Sequence, residues 1–264
     1  MRNSALVFVV ASLVLTAAVS AQDALSLLHR MQAALGGADK IAAIADYEQE
    51  VAAESFDGRT GRSMGVVRKR TRWIRPTVIR VDQVGPGSTY VLYFDGTSGW
   101  EILPGTAKVV PIAGGELTFA RKYVQNFKLL TWLADRDPRF RISSPAPNVV
   151  RLATDDPTDQ TDITLDAGSL LPSKISILSF ADPAHPVPSD EITTEWVTVE
   201  GIRFQRRWAV YRTGVRVAAA DDARYAINTG LKREELAAQP PDAKPVFSSR
   251  RIARSELSTV NGRP

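Results

Sequence analysis

Most of the chain alternates apolar and polar residues with a period of two, which is typical of β-strands. From Tyr47 onward this pattern predicts a first series of strands, separated by turn signals such as Asp57-Gly58 and Arg75-Pro76. The predicted strands are Tyr47–Phe56, Gly65–Trp73, Val78–Gln83, Tyr90–Phe94, Trp100–Leu103 and Lys108–Ile112. No crossover helix follows any of them, so we expect an antiparallel sheet.

The strand Tyr90–Phe94 departs from simple alternation, because it is apolar on both faces. Tyr90, Leu92 and Phe94 share one face, and Val91 and Tyr93 share the other. The Asp95-Gly96 pair that follows it is typical of a tight hairpin. A sheet with one face in water would alternate more cleanly, so we expect cover on both faces, by helix, by a second layer or by a ligand.

A second series of strands begins at Phe140. Its members are Phe140–Ser143, Val149–Thr154, Thr161–Leu165, Pro172–Phe180, Ile192–Val199, Ile202–Arg212 and Val215–Ile227. Glu200-Gly201 is a strong turn signal between two long runs. The Pro-rich segment Ala181–Asp190, which contains His185, is predicted to be a loop.

Two regions have helical periodicity. Asp23 is predicted to cap a helix over Ala24–Leu35 that ends at Gly36-Gly37, and Asp39 to cap a short turn over Lys40–Ala45. The central region runs from Glu116 to Asp135. Its main stripe contains Phe119, Ala120, Tyr123, Val124, Phe127 and Leu130.

Leu129 and Trp132 fall off that central stripe. A kink near Asn126 or Lys128, or two short helices, would turn both sets inward. The region is then either a bent helix packed on the core or a lid that faces a ligand.

The N-terminus and the composition place the protein outside the cytoplasm. One basic residue, an apolar run and Val19-Ser20-Ala21 predict a signal peptide over residues 1–21, the alternative being an uncleaved anchor. One domain over residues 22–239 and a flexible basic tail over 240–264 would follow, the tail being dispensable for folding. The absence of cysteine excludes disulfides and lipidation beside the cleavage point, and a net charge of +4 is too small to imply nucleic-acid binding.

The sequence contains little catalytic chemistry. Its two histidines, His29 on a polar helix face and His185, lack the spacing of a metal site, and no nucleophile–base pair is visible. The acidic run Asp155–Asp162 is either a calcium loop or a solvated turn, and it lacks the glycine and closing glutamate of an EF-hand. We therefore expect no enzyme activity, no cofactor and no bound metal.

Arginines recur on two predicted hairpins. Arg68, Arg70 and Arg72 lie on one face of a strand, and Arg203, Arg206, Arg207, Arg212 and Arg216 follow late in the chain. They form either a rim that attracts lipid phosphates or an acidic partner, or the solvated face of a sheet. We favour the solvated face.

The order of these parts resembles the LolA-like family, the periplasmic outer-membrane lipoprotein-sorting proteins and their secreted relatives. The resemblance is carried by the signal peptide, the helix ending Ala34-Leu35-Gly36-Gly37, the meander with Phe94-Asp95-Gly96 and Gly99-Trp100, the helical insertion and the second meander. It implies an α+β fold, a half-open antiparallel β-barrel of about 11–12 strands, with helices over a concave face that accepts acyl chains.

From this resemblance we expect a periplasmic or secreted carrier for lipids or lipidated proteins, linked to outer-membrane biogenesis and without stable membrane insertion. The alternative is a non-enzymatic interaction or sensor module with a cell-envelope protein partner. The candidates for lining an apolar cavity are Tyr90, Leu92, Phe94, Trp100, Phe119, Tyr123, Phe127, Trp132, Trp196 and Phe204.

Overall fold

The computed structural model of the chain describes residues 23–86, 88–103, 105, 108–179 and 185–240. The strands of the first series are β1 (Asp46–Phe56), β2 (Ser63–Ile74), β3 (Val78–Gly85), β4 (Ser88–Phe94), β5 (Gly99–Ile102) and β6 (Val109–Pro111). Those of the second are β7 (Arg141–Ser143), β8 (Val149–Ala153), β9 (Gln160–Leu165), β10 (Pro172–Ser179), β11 (Val187–Val199), β12 (Ile202–Arg212), β13 (Val215–Ala220) and β14 (Arg224–Ile227).

All these strands belong to one antiparallel sheet, with neighbour order β6-β5-β4-β3-β2-β1-β13-β12-β11-β10-β9-β8-β7. The sheet is not closed, because the order ends at two separate edge strands, β6 and β7. The two meanders meet at β1, which pairs with β2 on one side and with β13 and β14 on the other. The prediction of an open, barrel-like antiparallel sheet is confirmed. The described residues form 14 strands, rather than the expected 11–12.

The helices are short and lie at the start, middle and end of the described chain. They are α1 over residues 23–35, α2 (Ala38–Ala42), α3 (Gly114–Gln125), α4 (Lys128–Thr131) and α5 (Arg233–Ala237), with a 3-10 turn at Ala134–Arg136. The chain leaves the first meander at edge strand β6 and enters the second at edge strand β7. The segment containing α3 and α4 must therefore cross from one edge of the sheet to the other.

The central helical region is interrupted, as its two apolar stripes predicted. Phe127 has extended backbone angles, φ −62 and ψ 129, between α3 and α4. This break turns Leu129 and Trp132 inward, and they are only 0% and 1% exposed. Helix α1 buries an apolar stripe at helical spacing, formed by Ala24, Leu27, Leu28, Met31 and Leu35.

Three local predictions were wrong. The expected strand Val215–Ile227 is interrupted between β13 and β14, although both pieces pair with β1. The predicted loop Ala181–Asp190 contains the start of β11 at Val187, because proline is tolerated where a strand begins. Asp39 lies in the first turn of α2, whose N-cap is Gly37. The expected signal peptide over residues 1–21 and the tail beyond residue 240 lie outside the described residues.

The end of α1 packs closely against the β11–β12 turn. Gly36 has φ +121, and a Cβ atom at this position would lie 2.3 Å from the carbonyl oxygen of Gly201. Only glycine fits this contact, which explains the Gly-Gly helix end that the sequence shows. The turn itself has positive φ at both Glu200 and Gly201, as its sequence predicted.

The sheet is covered on both faces, as the two-sided strand predicted. Leu92 and Phe94 of β4 belong to the main core, together with residues of α1, α3 and α4. Val91 and Tyr93 belong to a second cluster, which also contains Leu236 of α5. We refer to the face toward the main core as the inner face, and to the opposite one as the outer face.

The interpretation of the β2 arginines as a solvated face was wrong for Arg70 and Arg72, which are buried on the outer face, whereas Arg68 is exposed. Arg70 makes a bidentate ion pair with Glu48, at 2.8 and 3.0 Å. Arg72 donates to Asp82 at 2.6 Å, and Arg80 donates to the same carboxylate at 2.9 and 3.0 Å. Charges at this depth need partners, and the neighbouring strands supply them.

Candidate functional site

The structure brings most of the ten predicted cavity residues together, but at different depths. Leu92, Phe94, Phe127, Trp132 and Phe204 are buried inside the main core. Tyr90, Phe119, Tyr123 and Trp196 are only partly buried and pack against it. Trp100 does not join them: it lies in the outer cluster, where its indole nitrogen donates to the carbonyl of Ala237 at 3.1 Å.

The deep end of the inner face is a packed aromatic cluster. The Phe127 ring is 5.3 Å from that of Tyr47 and 4.9 Å from that of Trp73, measured between centroids. The Phe204 ring stacks on Tyr225 at 4.8 Å. These rings pack against one another beneath the helix break.

The shallow end of the inner face lies under α3 and is packed less completely. Only Ala120 and Val124 of α3 are buried. Leu117, Phe119 and Tyr123 rest on the main core and remain partly exposed. An amphipathic helix normally buries its large apolar residues rather than its small ones. Helix α3 therefore packs loosely on the inner face, whereas the residues that follow the helix break, such as Leu129 and Trp132, are buried.

The inner face is also more polar than the apolar candidates suggested. Strand register places Val51, Lys69, Gln83 and Tyr90 in one row across β1 to β4. Lys69 reaches α3, where its ammonium group donates to the Tyr123 hydroxyl at 3.1 Å and lies 5.2 Å from the ring centroid. A lysine thus connects the sheet with the loosely packed helix.

A second lysine approaches the inner face from α4. The Lys128 ammonium group donates to Gln205 Oε1 at 2.6 Å and lies 5.7 Å from the Trp208 ring centroid. Gln205 in turn donates to Glu191 at 2.6 Å and to Thr193 at 2.7 Å. Burial lowers the pKa of Lys128; among the weaker causes, the charge of Glu191 raises it and the charge of Lys69 lowers it.

The Tyr47 hydroxyl lies in the same neighbourhood. Tyr47 is 0% exposed, and its hydroxyl has no hydrogen-bond partner among the described residues. Burial first, then the neighbouring Tyr225, Tyr123 and Glu191, raise its pKa well above the usual value. Burying a hydroxyl group without a hydrogen-bond partner destabilises the folded state.

A carboxylate occupies the inner face near the β4–β5 edge. Glu101 pairs with Leu92 in the sheet register and is 4% exposed. Burial and the charge of Glu116 raise its pKa, and a hydrogen bond with Tyr90 lowers it. Its Oε2 atom has no hydrogen-bond partner among the described residues.

The acidic run is a turn attached to α3. Lys122 donates to Asp156 at 2.9 Å and to Asp159 at 2.5 Å. An open pocket of about 230 Å³ lies beside this turn. It is lined by Gln125, Asn126, Arg139, Phe140, Thr154, Asp155, Asp156 and Asp159.

The remaining candidates for chemistry lie apart. His29 is half exposed on α1, and its Nε2 atom is 3.4 Å from Asp135. In the described part of the chain, no three His, Asp or Glu residues lie close enough together to hold a metal ion. Within the same residues, no helix has the length and apolar character needed to cross a membrane.

The sequence analysis did not select Lys69, Lys128 or Tyr47. One signal was present for Lys69, because alternation along β2 places it on the same face as Trp73, where a charge is unexpected. For Lys128, the sequence indicated only that it lies near the predicted helix break. Their proximity depends on α4 folding back over the sheet, which no local pattern encodes.

Comparisons with known proteins support the fold. No protein-family model matches the chain, and neither does any curated protein sequence. Three solved structures share its fold. A candidate outer-membrane lipoprotein-sorting protein domain from Vibrio parahaemolyticus has a TM-score of 0.52 at 11% identity, and the match covers 82% of this chain and 97% of the other.

The second structure, a DUF1329 family protein from Desulfovibrio piger, has a TM-score of 0.55 at 15% identity, with the same coverage of 82% and 97%. The third, a LolA superfamily protein from Nitrosomonas europaea, has a TM-score of 0.52 at 11% identity and covers 81% of this chain and 97% of its own. The resemblance to LolA-like proteins is therefore confirmed at the level of the fold.

Proposed function

We propose that this protein binds the acyl chains of lipids or lipidated proteins between α3 and the inner face of the sheet, and acts as a carrier or binding protein in the periplasm or outside the cell. The observation that carries the proposal is the packing of α3, which leaves Leu117, Phe119 and Tyr123 partly exposed over an open sheet. An acyl chain under α3 would complete their burial.

The energetics of such binding are adequate. Each buried CH₂ group contributes about 0.8 kcal/mol, so a long chain offsets the cost of ordering and retains several kcal/mol. The likeness to lipoprotein-sorting proteins supports the same proposal, since an open sheet with a helical cover is the common architecture. We propose binding without catalysis, because His29 is half exposed on α1 and the sequence shows no nucleophile–base pair.

The test is titration of the purified mature protein with palmitic acid, followed by tryptophan fluorescence and thermal unfolding. A ligand that binds only the folded state raises the melting temperature as its concentration rises. Phe119→Ala should weaken binding, whereas Met64→Ala is the matched control, because Met64 is an apolar residue 51% exposed on β2. Unchanged melting at saturating lipid would contradict the proposal.

Export is tested separately. We propose cleavage after Ala21 and no attached lipid, since residues 1–21 have the pattern of a signal peptide and the chain has no cysteine. Intact-mass measurement on protein from its native host should give a mature chain that begins at Gln22. A chain that begins at Met1, or a mass increment of acyl size, would rule this out.

A further inference from the structure

The inner face contains a group of hydrogen-bond donors that the proposed acyl site does not use. Lys69 and Lys128 approach this face from β2 and α4. The third donor is the Tyr47 hydroxyl, which has no hydrogen-bond partner among the described residues. Phe127, which precedes Lys128, packs its ring 5.3 Å from the Tyr47 ring. The Lys128 ammonium group lies 5.9 Å from the Tyr225 ring centroid, and the Tyr225 and Tyr47 centroids are 5.8 Å apart. Lys69 approaches the same face through its hydrogen bond to Tyr123 of α3.

The hydrogen bonds of both lysines go to neutral acceptors. Lys69 donates to a tyrosine hydroxyl and Lys128 to a glutamine oxygen. Within the described residues, neither has a carboxylate within ion-pair distance. Glu191 is linked to Lys128 only through Gln205, which donates to Glu191 and accepts from Lys128. An ammonium group without a direct counter-ion is unfavourable in a partly buried site.

An anion would satisfy all of these groups together. Ammonium groups and a phenol hydroxyl are donors, and carboxylate or phosphate oxygens are their strongest acceptors. The Tyr123 hydroxyl accepts from Lys69, so its own hydrogen is available as a further donor. This hydroxyl belongs to α3, the helix under which we place the acyl chain.

We propose that Lys69, Lys128 and Tyr47 form an anion-binding site on the inner face, which receives the carboxylate or phosphate headgroup of a single-chain acyl ligand. This inference rests on the proposed function, and it specifies the ligand as an anionic amphiphile. The headgroup lies between the lysines, and the chain extends under α3 past Phe119. Tyr123 contacts both parts, because its ring packs against Phe119 at 5.9 Å and its hydroxyl contacts Lys69.

The experiment compares two ligands with the same acyl chain, the anionic palmitic acid and the neutral monopalmitoylglycerol. Inorganic phosphate alone is the third ligand. The variants are Lys69→Met, Lys128→Met and Tyr47→Phe, with Lys232→Met as the matched control, because Lys232 is exposed at the N-cap of α5. Lys→Met removes the charge and keeps most of the side-chain stem. Tyr47→Phe removes a hydroxyl that has no partner, so the variant should fold normally.

Each of the three variants should weaken palmitate binding by about tenfold, or about 1.4 kcal/mol, and change monopalmitoylglycerol binding by less than about twofold. The Lys232 variant should bind both ligands as the wild type does. If Lys128→Met does not fold, Tyr47→Phe still decides the outcome.

The possible failures are distinguishable. Equal binding of both ligands, unaffected by the variants, would overturn the anion site and leave acyl binding intact. Binding of neither ligand would overturn both proposals. Phosphate binding that Tyr47→Phe abolishes, without palmitate binding, would assign the donors to a soluble anion and overturn the headgroup assignment.

Discussion

The side-chain amide of Gln32 in α1 donates to the carbonyl oxygen of Trp132 at 2.9 Å. The same nitrogen donates to Asp135 at 2.6 Å. These contacts join the first helix to the end of the central helical region, 100 residues later in the chain. They hold the helix break against the sheet, while α3, on the other side of the break, has no comparable anchor in α1.

Trp132 should behave as a core residue. Its side chain is 1% exposed and its ring lies 6.1 Å from that of Phe204. Trp132→Ala should therefore cost about 3–5 kcal/mol of unfolding free energy, measured by chemical denaturation. Phe119→Ala should cost less than half as much, because Phe119 is partly exposed. Wild-type stability in the Trp132 variant, together with lost lipid binding, would show that Trp132 lines a cavity instead.

Arg80 should be the most sensitive charge on the outer face. It is 2% exposed, pairs with the buried Asp82 and donates to the carbonyls of Leu236 and Ala238 at 3.1 and 2.6 Å. Arg80→Met should cost about 3–5 kcal/mol, because it removes one partner of a buried ion pair and releases α5. Arg233→Met should cost less than about 1 kcal/mol, since that side chain is 56% exposed in its pair with Asp95. Equal losses in the two variants would contradict this view.

The acidic turn should make stability sensitive to low pH. A hydrogen bond from the Thr158 hydroxyl, followed by one from Lys122, lowers the pKa of Asp156 to about 2. A carboxyl with a lowered pKa stabilises the folded state above its usual value of 3.8, and this contribution is lost as pH falls toward 2. Melting temperatures measured from pH 5 to pH 2 should therefore fall less steeply in Lys122→Met than in the wild type. Identical slopes would show that Lys122 contributes nothing to this pH dependence.

Glu101 should oppose folding at neutral pH. Burial and the charge of Glu116 raise its pKa, so the folded state favours the protonated form. Protonated Glu101 therefore stabilises the folded state below its usual pKa, and this contribution is lost as pH rises through the raised pKa. Glu101→Gln removes a buried charge whose Oε2 atom has no partner among the described residues, and it should raise the melting temperature by about 2–4 °C at neutral pH, for about 1 kcal/mol. At low pH the variant and the wild type should melt alike. A lower melting temperature at neutral pH would indicate that the hydrogen bond with Tyr90 outweighs the cost of burying the charge.

Local patterns were sufficient to predict the elements of the fold. The period of two predicted most strands to within a few residues, and the two stripes of the central region predicted its break. The Glu200-Gly201 turn and the Gly36-Gly37 helix end were readable because positive φ favours particular residues. The two-sided strand Tyr90–Phe94 correctly implied cover on both faces. These features depend on interactions between neighbours in the chain, so a single sequence contains them.

Only the tertiary structure decided which charges are buried and which candidates share a face. The arginines of β2 look like a solvated row in the sequence. Arg70 and Arg72 are buried, because β1 and β3 place Glu48 and Asp82 beside them. Trp100 lies on the outer face, away from the other aromatic candidates, because successive side chains of a strand point to opposite faces. Lys69, Lys128 and Tyr47 come from three elements, and the crossing of the central helices from one sheet edge to the other brings them together. Such contacts join residues far apart in the chain, so periodicity does not reveal them.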